Sequence, residues 1–246
     1  MADERGKARA TYEALLALGR QLGEARLEVL SLNHLAVFDY HQGDDRKVRA
    51  LLEEAGRRAE DAGLEEALVE TQCDLAEVMA IHPRDFEHSG PLARKALASA
   101  RTLDERPDLI ARALETLARL ELIWGSLEES AAYAEEGAAL SRELAERPAP
   151  QASLPSMPTA MGLMASWKVG NKAMEIQCLM YLAYIRVFQG RLQEGIAFGR
   201  EVLGKSRELP ERAEAMGAGV YFAQEGVFEF GVKEWGPQPV RALRYE

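Results

Sequence analysis

Cysteine is almost missing from this chain: Cys73 and Cys178 are the only two. They fall at unrelated points of the sequence pattern and read as buried, reduced thiols, so no disulfide framework is expected. Aromatic residues make up 7% of the chain and β-branched residues are sparse, which argues against a large sheet. Positive charge is also short, with 30 Lys and Arg against 40 Asp and Glu and a net charge of −10. Phosphate contacts need a basic face, so direct nucleic-acid binding is excluded. No run approaches the ~20 apolar residues of a membrane span. The charged start Met-Ala-Asp-Glu-Arg has no apolar stretch of a secretory signal. A cytoplasmic protein without membrane contact is the expectation.

Catalytic signatures are missing too. There is no Gly-x-Ser-x-Gly, no His-Glu-x-x-His, no Cys-x-x-Cys, no Gly-x-Gly-x-x-Gly and no phosphate-cradling Gly-x4-Gly-Lys-Ser/Thr. Of the four histidines, His34 and His41 lie two helical turns apart, about 10 Å along an axis, too far to share one metal easily. His82, Asp85, Glu87 and His88 share one segment, but their spacing fits no standard metal site and reads as a solvated loop. The doublets Glu53-Glu54, Glu65-Glu66 and Glu128-Glu129 point about 100° apart on a helix, which suits solvent better than paired acid/base work. The expectation is a non-enzyme without cofactor or metal, with a metal-dependent enzyme built on the 82–88 segment as the remote alternative.

What the chain does have is a phrase that recurs. Leu32-x-x-Leu35-Ala36 is followed by Gly43, Leu114-x-x-Leu117-Ala118 by Gly125, and Leu179-x-x-Leu182-Ala183 by Gly190. Leu75-Ala76 before Pro83 is a weaker copy, and Gly219 with Gly226 is a last one. The small residues at 36, 76, 118, 183 and 219 are 40, 42, 65 and 36 apart. A helical repeat of this length forms stacked helix pairs, an architecture that binds partners. An all-α fold follows, with 47% hydrophobic residues to supply its core.

The pairs read as Glu24–His41 with Arg46–Asp61, Leu64–Ile81 with Gly90–Leu103, Pro107–Trp124 with Leu127–Ala145, and Lys172–Gln189 with Leu192–Glu208. A fifth starts at Pro210, turns at Gly226 and ends in an irregular tail. In the first pair Leu27, Leu30, Leu35 and Phe38 are expected inward, facing Val48, Leu51, Leu52, Ala55 and Ala59. Ala36 and Ala55, and likewise Ala118 and Gly137, are expected where the helices approach closely. Residues 3–22 resemble the second helix of a pair, because Gly23 precedes Ala36 as Gly63 precedes Ala76. The half-pair suggests a segment of a longer protein. Organisation by residue is then 1–146 as helical repeats, 147–171 as a proline-rich connector with a short Met- and Trp-bearing helix ending in a Gly170-Asn171 turn, and 172–246 as further repeats.

The Leu-x-x-Leu-Ala phrase, its glycine seven residues later and the small residue at Ala55, Ala96 or Gly137 resemble the tetratricopeptide repeat. The 40-residue spacing is longer than usual and is similar to arrays in bacterial signal-responsive transcription activators of the MalT/LuxR-like and SARP-like types. That resemblance implies a right-handed α-solenoid, a regulatory or sensor role, and an ATPase or DNA-binding domain in the full-length protein or a partner chain. It also implies a concave groove lined by the first helix of each pair, holding a protein or peptide ligand. Carried onto this sequence, the groove residues are Asn33, Val37 and Tyr40; Cys73, Glu77 and Ala80; Glu115, Arg119 and Leu122; Met180, Tyr184 and Val187; and Met216, Val220 and Ala223. Such a mixed surface suits a segment with an apolar anchor and a charged contact. The alternative is a scaffold that self-associates through exposed terminal helices as a homo-oligomer.

Overall fold

A computed structural model describes residues 2–40, 43–80, 85–103, 106–147 and 157–208, with side chains from residue 6 onward, except residue 86, and from residue 171 in the last segment. Among these residues are nine α-helices: α1 (Ala2–Leu22), α2 (Ala25–Tyr40), α3 (Asp45–Asp61), α4 (Glu65–Met79), α5 (Phe86–Ala100), α6 (Pro107–Trp124), α7 (Leu127–Glu146), α8 (Met157–Phe188) and α9 (Leu192–Ser206). No strand occurs among them. The fold is all-α and solenoid-like in its order of packing, each helix resting on its neighbour in sequence. The chain divides into two compact units, Met1–Thr116 and Leu117–Glu246. The division falls inside α6.

Short turns set the antiparallel arrangement. Gly43 and Gly63 have φ of 76° and 65°, a left-handed conformation that reverses the chain at little cost only without a Cβ. Asp44 then accepts a hydrogen bond from the Lys47 amide at 3.2 Å and starts α3, and Ser126 does the same for the Glu129 amide ahead of α7. In the α2/α3 pair Arg58 meets Glu28 while Lys47 meets Asp39, so one helix advances as the other retreats. The α8/α9 pair behaves alike, with Lys205 on Glu175 and Arg186 on Glu194.

Side chains also join every second helix, and these bonds carry the repeat period. Asn33 of α2 reaches Thr71 of α4 over 38 residues, and Thr116 of α6 reaches Glu77 of α4 over 39. Helices α2, α4 and α6 therefore run parallel in the first unit, one repeat apart.

The α3 core face is as expected, with Val48, Leu52, Ala55 and Ala59 buried. The face of α2 is not. Leu30 is 46% exposed, and Val29, Leu32, Leu35 and Ala36 face the core instead of the Leu27–Leu30–Phe38 line. Burial on two sides, by α1 and α3, rotates the apolar stripe away from a simple amphipathic reading. Ala36 and Ala55 are both buried but do not meet: Ala36 packs with Val48 and Leu52, whereas Ala55 packs with Val29, Leu32 and Ala59. Antiparallel packing pairs the end of one helix with the start of the next, so two mid-repeat alanines contact different partners. In the second unit the Ser130 hydroxyl donates to the Ala118 carbonyl at 2.6 Å. A Cβ on Gly195 would lie 3.0 Å from the Ala183 carbonyl, so these later residues are the close approaches to the repeated alanine.

Two further boundaries differ from expectation. Helix α5 begins at Phe86, earlier than Gly90, and takes Pro91 inside it. Helix α8 runs 32 residues without a turn at Gly170-Asn171. Gly-Asn weakens a helix by about 1–2 kcal/mol but does not by itself stop one. The proline-rich residues 148–156 and the fifth pair from Pro210 onward lie outside the described residues.

Candidate functional site

Helix α4 places Glu66, Glu70, Asp74 and Glu77 at steps of four, four and three residues, which is one helical face. That face meets α6. Arg106 pairs with Glu66, lies 3.6 Å from Glu70 and is also held by Asp108 at 2.8 Å. Arg112 pairs with Asp74. The Thr116 hydroxyl donates to Glu77 at 3.0 Å, and the Asn33 side-chain amide donates to the Thr71 hydroxyl at 2.9 Å.

The electrostatics follow from crowded charge: Asp108 and Glu115 join the carboxylates of α4 around Arg106 and Arg112. Asp74 is the main cause of a raised Arg112 pKa, against burial, with Cys73, Glu77 and Glu115 adding to it. Hydrogen bonding by Asp108 leads the same effect at Arg106. Burial pushes the Glu70 carboxyl up, while Arg112 and Arg106 pull it down. Beneath this face burial drives the Cys73 thiol up to about 12, so it stays protonated and inert. His34 stacks on Tyr12 with ring centroids 4.3 Å apart, and burial lowers its pKa against the opposing charge of Asp74.

Of the expected groove residues in the first unit, Asn33, Glu77 and Glu115 are half-buried in or beside this network. Val37 and Tyr40, on the Asn33 face of α2, are 49% and 42% exposed. Cys73 and Ala80 are buried and offer nothing to a surface. In the second unit Arg119 and Leu122 are half-buried. Met180 belongs to the core with Ile176, Leu182 and Ile185, and Tyr184 packs against that core. Val187 abuts α9 at Gly195. Met180 is thus a packing residue, because the neighbouring helices cover the α8 face assigned to the groove. Met216, Val220 and Ala223 lie outside the described residues.

The organised carboxylate face went unread in the sequence, where acidic residues counted as solvated. The signal was available: a four, four, three spacing on α4, with arginines about forty residues later on the parallel helix. Two further carboxylates, Glu28 and Glu175, are buried eight residues before Ala36 and Ala183. They meet Arg58 and Lys205, each 22 residues after its alanine. This ion pair occupies the same register in two repeats, while Leu68 and Ile110 stand at the carboxylate position of the other two.

Among the described residues no three His, Cys, Asp or Glu side chains come together as metal ligands. His82 is outside those residues. No described helix is long and apolar enough to cross a membrane.

No family model matches the chain, and no curated protein matches it. Among solved structures it is similar to the crystal structure of BtubC (BKLC) from P. vanneervenii. The TM-score is 0.62 at 20% identity, over 83% of this chain and 74% of that one. At that identity the likeness concerns the fold.

Proposed function

We propose that this chain is a non-catalytic, tetratricopeptide-like scaffold that holds a segment of another protein on the α2–α4–α6 face of its first unit. The observation behind the reading is that exposed Val37 and Tyr40 share the Asn33 face of α2, and Asn33 bonds to Thr71 on α4 beside the acidic row Glu66, Glu70, Asp74 and Glu77. Apolar anchors contribute affinity, and an acidic row favours a ligand bearing Lys or Arg.

Fluorescence anisotropy with labelled peptides tests the proposal. Peptides combining an aliphatic anchor with Lys or Arg should bind and weaken with added salt. Tyr40→Ala should weaken binding without changing the helical circular-dichroism spectrum. Equal affinity for acidic and basic peptides, or none for either, would remove this reading.

The wider setting we propose, a regulatory segment of a bacterial transcription activator working with an ATPase or DNA-binding domain, rests on the forty-residue spacing alone. The full-length reading frame tests it, since a gene without either domain, in a genome whose neighbouring genes lack them, would contradict it.

A further inference from the structure

Leu30, expected inward, joins Val37 and Tyr40 among the exposed large apolar residues of α2. At 100° per residue all three fall within about 60° of Asn33 around the helix. Asn33 bonds Thr71 of α4, so the three form one apolar line bordering the crease between α2 and α4. Among the described residues of the first unit, the other large apolar side chains left exposed are Leu18 and Leu22 of α1. An apolar line on so acidic a chain marks a contact surface.

Forty residues on, the same positions of α4 carry acid. Glu70 stands in the place of Leu30, and Glu77 in that of Val37. The Glu70 side chain is 45% exposed, and Arg106 lies 3.6 Å from it, beyond a hydrogen bond, so a second cation can approach. The charge of Asp74 in the same row reaches His34 of α2, so the row borders that crease from its other side.

The spacing selects the conformation of what lies there. Leu30 and Val37 are seven residues apart, as are Glu70 and Glu77, so each line repeats about 10 Å along parallel helices. Residues seven apart on a bound helix repeat at that distance on one edge. An extended segment laid along α2 covers it in about three residues, which turns the two side chains to opposite faces. Laid across the helices, such a segment meets each line once.

We infer that the α2–α4 crease holds an amphipathic helix of a partner protein. Its apolar edge covers Leu30, Val37 and Tyr40, and its adjoining edge sets Lys or Arg beside Glu70. Like charge disfavours a second copy of this chain, at net −10, in that place. The helix rests on the scaffold reading proposed above and adds to it a ligand conformation and Leu30 as an anchor.

Fluorescence anisotropy of the full chain tests it with a labelled, capped, alanine-based peptide. The peptide carries leucines at three–four spacing and a lysine one position after each. It should bind with an affinity that falls as salt is added. Replacing its central alanine by proline should weaken binding on the order of 100-fold. Leu30→Ala should weaken it about fivefold, and Glu70→Gln should lower the salt dependence, each with the helical circular dichroism of the chain unchanged. If the proline peptide binds as tightly as its parent, or Leu30→Ala leaves affinity unchanged, the helical ligand is overturned while a bound protein segment stands. If no peptide with an apolar anchor and Lys binds, helical or interrupted, both readings fall together.

Discussion

Two glycines of α9 should respond to alanine in opposite senses. A Cβ on Gly195 would sit 2.6 Å from Val187 Cγ2 and 3.0 Å from the Ala183 carbonyl oxygen. A Cβ on Gly204 would meet nothing within 4 Å. Each change gains helix propensity, about 0.5–1 kcal/mol near a helix end. At Gly204 that gain stands alone, so Gly204→Ala should stabilise by about that amount. At Gly195 it is opposed by overpacking, typically about 1–3 kcal/mol. Valine can shift its methyl, but a backbone carbonyl on α8 cannot move without the helix. Gly195→Ala should therefore destabilise by about 1 kcal/mol net, or about 2–4 °C in melting temperature. Urea and thermal melts followed by far-ultraviolet circular dichroism measure both. Should the two units melt separately, the shifts belong to the transition of Leu117–Glu246. If both variants stabilise, or both destabilise, the α8/α9 close approach is misplaced.

Asp39 is 1% exposed. Burial pushes its carboxyl up, but the hydrogen bonds and charges of Arg9 and Lys47 outweigh that and hold it below its ordinary 3.8. Its contribution is thus complete above pH 3.8 and lost as pH falls through its lower folded value, and Asp39→Asn should destabilise the chain at neutral pH while flattening that acid limb in urea midpoints. His34 has a folded pKa below its ordinary 6.5, so stability should fall as pH drops from 6.5 toward that lower value, and His34→Gln should reduce the slope there. With its thiol raised from 9.0 to about 12, Cys73 should carry about a thousandfold less thiolate than an ordinary cysteine and resist Ellman's reagent until denaturant is added; rapid native labelling of Cys73 would contradict its burial.

The recurring Leu-x-x-Leu-Ala phrase and its turn glycines located α2, α3, α6, α7 and α9 to within two residues, because capping and 3.6-residue periodicity are local properties. The Gly170-Asn171 turn misled for the same reason: those residues permit a break, and the structure has a helix through them. Of the residues assigned to the groove, spacing puts Asn33, Val37 and Tyr40 on one face of α2, Asn33 bonds to Thr71 of α4, and Met180 lies in the core of the second unit, which only the neighbouring helices decide.

By itself, then, the sequence determined the helices, their short turns and the forty-residue step between equivalent positions. Tertiary structure alone decided which side of each helix meets another. A helix presents several stripes of similar polarity, and only the helices packed beside it choose among them. That choice made Leu30 a surface residue and Met180 a core residue, and it turned the carboxylates of α4 from scattered acids into one charged face against Arg106 and Arg112.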